Sequence, residues 1–184
     1  MKVKLGDICT FISGNAWDAN YFSESGIPII RINNLNLNEG QFVHWNMDYD
    51  KRYLVNKDDI LLSLSGTIKV HKWHGEEALL NQRIVKIIPK KDVNKSWVYY
   101  KLLNTIDEII NSAKYATIKN VSVSELKRLE FELPIIETQN KIVALLDKAK
   151  NIIEKREKMI ELYDELLSSF FLDTFGDPYF NTKK

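Results

Sequence analysis

Between Thr138 and Phe175 apolar residues return every seven positions, and this repeat limits the possible folds more than any other feature of the chain. Leu145, Ile152, Met159 and Leu166 form one column. Leu146, Ile153, Ile160 and Leu167 form a second, and Ile142, Ala149, Arg156, Tyr163 and Phe170 a third that is apolar except at Arg156. A sustained seven-residue repeat is the pattern of helices that wrap around one another. At a rise of 1.5 Å per residue such a helix runs about 50 Å, longer than a small domain can cover. One long helix is legible, so its partner is expected on another molecule. The expected pairing residues are the twelve column positions other than Arg156. The helix is stopped by Gly176, Asp177 and Pro178 in "FGDP" (175–178), since Gly and Pro just past a helix end are stop signals.

Charge divides the chain at the same place. Residues 130–178 carry 11 acidic and 6 basic side chains, against 14 acidic and 18 basic over residues 1–129. The expected organisation is a globular domain over 1–135, a long helix over 136–176 and a tail over 177–184. The globular part reads as mixed α/β (α+β) with a small twisted sheet. "IPIIRINNLNL" (27–37), "DDILLSLSG" (58–66) and "QRIVKIIPK" (82–90) are short β-type runs bounded by turn residues. "SWVYYKLLNTIDEIINSA" (96–113) has helical spacing, with Ser96 as its N-cap. Long loops are expected at 13–26, 38–53 and 67–81, and loops of that size in a compact domain usually bind something. Residues 67–101 concentrate eight Lys and Arg against three Asp and Glu, interleaved with Trp73, Trp97, Tyr99 and Tyr100. Such a patch suits a polyanion, although a solvated face is the more frequent explanation for any single lysine run.

Catalytic patterns are missing. No GxxxxGK[ST] loop, GxGxxG turn or GxSxG elbow occurs. The single cysteine, Cys9, lies in the apolar run "ICTFI" and reads as a buried thiol; no intramolecular disulfide or cysteine-based zinc site can form. "HKWHGEE" (71–77) has two histidines but not the ligand array zinc requires, so no metal site is expected. Glu125 and Lys127 in "SELK" form a Glu-x-Lys pair of the sort some metal-dependent nucleases use, though such pairs are common on exposed helices. No run is long or apolar enough to span a membrane, and the start lacks a signal-peptide apolar region, so a cytoplasmic binding protein is expected.

Six stretches occur in a telling order: "VKLGDICTFISG" (3–14), "GIPIIRINNL" (26–35), "DDILLSLSGT" (58–67), "NQRIVKI" (81–87), "LKRLEFELPIIETQNKIVALLDKA" (126–149) and "FGDP" (175–178). Together they resemble the specificity subunit of type I restriction–modification systems. One departure is visible at the helix entrance, where the family usually has two prolines and Glu-Gln. Here "LPIIETQ" keeps Pro134 and Gln139 but carries Ile135 and Thr138. The family joins two tandem copies of a recognition domain and a long helix. The chain shows one copy and no internal repeat, so the resemblance implies a half-subunit. Two copies would then pair their helices antiparallel, placing a recognition domain at each end, and would read an interrupted palindrome in double-stranded DNA.

The resemblance further implies partner methyltransferase subunits that use S-adenosylmethionine to methylate adenine N6, and an ATP- and magnesium-dependent restriction subunit, with no cofactor or catalytic group in this chain. Base reading needs side chains that pair with base edges from loops. The candidates are Asn15 and Trp17 in the first loop, and Thr67, Lys69, His71, Lys72, Trp73, His74 and Arg83 in the next. Lys114, Tyr115, Thr117, Lys119 and Asn120 in "KYATIKN" complete the set. Asn81 and Gln82 read as scaffold or phosphate contacts rather than base readers, and for Arg31 and Asn33 a structural hydrogen bond stands beside a base contact as a reading at least as good. Two other readings stay open: an adaptor that assembles through its helix without reading DNA, and a nuclease using Glu125 and Lys127.

Overall fold

The computed structural model describes residues 1–35, 41–65, 68–111 and 122–176. The chain starts with β1 (Lys2–Lys4), α1 (Leu5–Ile8) and β2 (Cys9–Ser13), followed by β3 (Phe22–Ser23), β4 (Ile27–Ile30) and α2 (Ile32–Leu35). Six strands come next in chain order: β5 (Val43–Trp45), β6 (Leu54–Val55), β7 (Ile60–Ser63), β8 (Val70–Lys72), β9 (Ala78–Leu80) and β10 (Ile84–Pro89). The last elements are α3 (Lys95–Asn111), α4 (Val123–Arg128), β11 (Glu130–Glu132) and α5 (Ile136–Phe175). The backbone divides into two compact units, 1–140 and 141–184.

The fold is mixed α/β with a long C-terminal helix, but it holds three small sheets where the sequence suggested one. Their strand orders are β1-β11, β2-β10-β7-β8 and β3-β5-β4-β9-β6. The surplus strands β3, β5, β8 and β9 arise in segments read as loops and β6 just after one; they are two or three residues long, too short for alternation to show. Distant partners form them instead: β9 pairs parallel to β4 through Ile29↔Leu79 and antiparallel to β6 through Leu54↔Leu79. The two larger sheets meet face to face. Ile30, Val55, Ala78 and Leu80 from one and Leu61 and Ile84 from the other close a cluster over Trp73. Gly14 allows β2 to reach this seam, because a Cβ there would lie 2.1 Å from the Asn81 carbonyl oxygen.

Polar side chains close the ends. Asp59 receives Lys95 at 2.8 Å and lies 4.0 Å from Lys86, whose buried ammonium also donates to the Leu54 carbonyl. Burial lowers the Lys86 pKa, and Asp59 partly opposes the effect. The N-cap of α3 is Asn94 rather than Ser96: the Asn94 carboxamide oxygen accepts from the Trp97 N–H at 3.0 Å. Asn94 is itself held by α5. Gln139, 1% exposed, accepts the Asn94 N–H at 2.8 Å and donates to the Pro134 carbonyl at 2.8 Å.

A 40-residue α5 is about 60 Å long at 1.5 Å per residue. No helix among the described residues is long and apolar enough to cross a membrane.

Gln139→Leu keeps the volume of the side chain but strands one backbone donor and one acceptor. It is expected to cost about 2–4 kcal/mol, read as a lower urea midpoint with an unchanged slope. An unchanged midpoint would show that neither hydrogen bond matters.

Candidate nucleic-acid interface

The ends of β2, β7, β8 and β10 bring several sequence-selected residues together through the backbone. Asn15 N–H donates to the Leu80 carbonyl at 3.0 Å and its carbonyl accepts from Gln82 N–H at 2.9 Å. Leu64 N–H reaches the Arg83 carbonyl at 2.9 Å, and Ser63 N–H reaches the Lys69 carbonyl at 3.1 Å. The Ser63 hydroxyl then accepts from Lys69 N–H at 2.9 Å. The outcome is a single rim carrying Asn15, Arg83 and Lys69. The last two side chains are exposed, with Arg83 Nη1 3.5 Å from the Ser65 hydroxyl.

His71, Lys72 and His74 surround a second feature, a cleft of about 500 Å³ completed by Asn34, Trp73 and Tyr99. Lys72 bridges to Asp58 at 3.4 Å. His74 is exposed, whereas His71 Nε2 is buried without a hydrogen-bond partner. Burial, with a smaller contribution from Lys69, holds the His71 pKa below its ordinary value.

Trp73 requires correction as a DNA contact, and Trp17 is half-buried with its indole N–H engaged. Trp73 is 9% exposed, its ring belongs to the core, and its indole N–H donates to the Glu76 carbonyl at 2.7 Å. A Cβ at Gly75 would stand 2.5 Å from that ring, so the ring is covered by backbone. Trp17 donates to the Leu80 carbonyl at 3.1 Å and packs on Trp45 and Tyr53 at centroid distances of 4.9 and 5.8 Å. Trp73 is therefore part of the scaffold, and Trp17 packs against it only in part. Thr67, Lys114, Tyr115, Thr117, Lys119 and Asn120 lie outside the described residues, as do Asp177 and Pro178.

The basic run is thinner than its sequence suggests. Lys86 is buried, Lys72 and Lys95 are paired with aspartates, and Lys101 lies 5.6 Å above the Phe131 ring. Lys69, Arg83, Lys90 and Lys91 remain exposed.

Glu125 closes the capping box of α4: its carboxylate accepts the Ser122 N–H at 2.9 Å and the Ser122 hydroxyl at 2.7 Å. These bonds lower its pKa. No group of three His, Cys, Asp or Glu side chains able to hold a metal occurs among the described residues. Cys9 is buried, and burial pushes its thiol up to about 12, out of the range of a nucleophile.

On α5 the heptad columns are open. Leu145 is 69% exposed, Ile153 57%, Ile160 60% and Leu167 65%, too much apolar surface to stand in water as an isolated helix face. Near the end of the helix Phe170, Phe171, Leu172 and Phe175 shape an apolar cleft of about 630 Å³.

The sequence leaves Arg31 open between a structural hydrogen bond and a base contact, and gives no signal for His44. They share a further cleft, and only the strand register brings them near one another.

Comparison with known proteins agrees with this architecture. The family model for the type I restriction modification DNA specificity domain matches residues 1–162. The EcoBI type I restriction enzyme specificity subunit of Escherichia coli is 24% identical over 173 residues, covering 92% of this chain and 36% of that protein. The chain thus spans about a third of the length of that curated relative. The crystal structure of the HsdS subunit from Thermoanaerobacter tengcongensis superposes with a TM-score of 0.69 at 17% identity, covering 86% of this chain and 39% of that one. A structure from work on complex assembly and conformational transition of the type I R-M system gives a TM-score of 0.73 at 16% identity, over 92% and 43% of the two chains.

The depressed His71 pKa has a measurable consequence. The unfolded imidazole, near 6.5, binds a proton before the folded one, so stability is present above 6.5 and is lost as the pH falls toward the folded value. Urea unfolding between pH 7 and 5 is expected to show wild type losing stability relative to His71→Gln, with a slope of at most about 1.4 kcal/mol per pH unit. Identical pH dependence in the two proteins would show that His71 titrates freely.

Proposed function

Because the chain belongs to the family of type I restriction–modification DNA specificity domains, we propose that residues 1–135 form a target-recognition domain for double-stranded DNA and that residues 136–176 pair with the same helix of a second copy. The observation that carries the reading is the open heptad face of α5, joined in one chain to the family's recognition domain. In a closed pair of identical chains the two helices are related by a two-fold axis. An antiparallel arrangement sends the domains that precede them to opposite ends, and the helix pair becomes a spacer between two identical readings. The target is then an interrupted palindrome.

Lys69, Arg83 and Asn15 on the rim, with His71, Lys72 and His74 beside it, are the residues we assign to DNA in the described part. The lysines suit phosphate, and Arg83 and Asn15 suit base edges. The apolar stripe of α5 occupies three of every seven positions, and Leu162, Phe171, Leu172 and Phe175 extend it. A two-helix seam uses about two of seven. We assign the remaining apolar width to methyltransferase subunits docked on the pair. S-adenosylmethionine, and ATP with magnesium, belong in this reading to partner subunits, and the assembly is cytoplasmic. The chain supplies specificity and position, and the partners supply chemistry.

The competing adaptor reading draws on the number of lysines already engaged by aspartates. Salt separates the two. Duplex binding through phosphates weakens with a log–log slope of about −0.9 for each phosphate neutralised, whereas an adaptor has no DNA affinity to lose.

Expressed with its methyltransferase in a host lacking adenine methylation, the chain is expected to yield N6-methyladenine at a palindrome with an unspecified spacer. An asymmetric bipartite motif would indicate pairing with a different specificity helix. No methylation, with both proteins soluble, would defeat the DNA-reading assignment. Separately, Ile153→Asp with Ile160→Asp is expected to convert a dimer into a monomer in sedimentation while the tryptophan spectrum of the domain is unchanged. A dimer that survives both charges would place the contact elsewhere.

A further inference from the structure

Among the described residues, the buried side-chain nitrogens without a hydrogen-bond partner are Arg31 Nε, His44 Nδ1 and His71 Nε2, and all three belong to residues lining two clefts. The His71 cleft belongs to the interface described above. The other, about 580 Å³, is walled by Ser23, Glu24, Arg31, Phe42 and His44 and has no role in that interface. The two clefts are neighbours. Arg31 N–H donates to the Asn34 side-chain oxygen at 3.0 Å, so the turn of α2 places Arg31 on one cleft and Asn34 on the other. Phe42 of one meets Trp73 of the other edge-on, with centroids 6.3 Å apart.

The second cleft is built rather than incidental. Arg31 Nη2 donates to the Gln41 carbonyl at 2.9 Å, which fixes the guanidinium while leaving Nε without a partner. His44 stands on β5 in register with Ser23 of β3 and Pro28 of β4, so the sheet sets its position. Glu24 follows Ser23 and is exposed. A buried donor left without a partner is costly, and the cost is recovered when a ligand supplies an acceptor.

The mixture of charges selects among acceptors. A phosphate group offers only acceptor oxygens and repels the Glu24 carboxylate. A base-pair edge offers both kinds of group. In the major groove a G·C pair presents guanine O6 and N7 as acceptors and the cytosine N4 amino group as donor, matching an arginine beside a carboxylate.

We propose that Arg31, His44 and Glu24 form a second base-reading site specific for a G·C pair. Arg31 donates to the guanine edge, Glu24 accepts from cytosine N4, and His44 supplies a ring nitrogen to the same edge. The site rests on the reading of the chain as a DNA-recognition subunit and adds a contact that lies outside the loops chosen from sequence.

The test is a set of methylomes, recorded in parallel for wild type, Arg31→Gln and Glu24→Gln, each expressed with the methyltransferase. The wild-type motif should contain a G·C position in each half that becomes degenerate in Arg31→Gln, with discrimination there falling about 5- to 150-fold. Glu24→Gln should relax the same position, and every other position should hold. Should Arg31→Gln fail to fold, Arg31→Lys, which keeps the charge but not the planar fork, and the exposed Glu24→Gln decide the matter by the same readout. A wild-type motif in the variants, or evenly reduced methylation at an unaltered motif, would overturn the site while leaving the DNA-reading assignment intact. A wild-type chain that directs no methylation would defeat that assignment itself.

Discussion

The interaction on which the globular unit depends is made by one buried amide. Gln139, in the first turns of α5, receives the Asn94 N–H and donates to the Pro134 carbonyl. Asn94 in turn caps α3 through the Trp97 N–H, and its own side-chain amide reaches Asn140 at 2.7 Å. One side chain therefore ties the start of α3, the exit from β11 and the entry of α5. None of these backbone groups has a helical or strand partner, because each sits at an element boundary. The strand beside them closes the unit: β11 pairs with β1, and the Leu133 N–H donates to the Met1 carbonyl at 2.9 Å. The two ends of the domain's chain thus lie side by side, and Pro134 and Gln139 are the residues that make the passage from sheet to long helix abrupt.

What could be read from sequence was what local chemistry encodes. The repeat of α5 needs only its own residues to be visible, and β4, β7 and β10 appeared because each is a continuous apolar run between turn residues. Strands β3, β5, β6, β8 and β9 were missed because two or three residues carry no period, and the register with a distant strand forms them. The cap of α3 fell on Ser96 because serine is a common cap. Asn94 displaces it, held by the hydrogen bond that its N–H donates to Gln139, 45 residues away in sequence.

The site was less legible than the fold, and charge explains much of the gap. A sequence counts Lys86, Lys72 and Lys95 as free cations. The structure buries the first and sets all three against Asp58 and Asp59, two residues that belonged to no basic run. Trp73 and Trp17 looked like partners for a base because they stood among polar loop residues, yet each finds a carbonyl for its indole N–H, and Trp73 a core for its ring. Arg31 and His44 had the opposite problem. Arg31 stands in a strand-like run and His44 in a segment read as a loop, and the pairing of β4 with β5 makes them neighbours.

Backbone and side chain also divide their labour along the rim. Asn81 N–H donates to the Ile30 carbonyl at 3.3 Å, and its own carbonyl accepts from Ile84 N–H at 3.0 Å. Gln82 N–H goes to the Asn15 carbonyl, and Gly14 N–H to the Ile84 carbonyl at 3.0 Å. These bonds are all main chain, so the frame they hold does not depend on which side chains it displays. Arg83 and Lys69 are placed by this frame but do not build it: their backbone groups close the seam while their charged ends remain in solvent. A domain organised in this way can exchange outward side chains without disturbing its hydrogen-bonded seam, provided Gly14 stays small enough for the backbones to meet. That separation is the physical condition under which one scaffold can present different recognition surfaces.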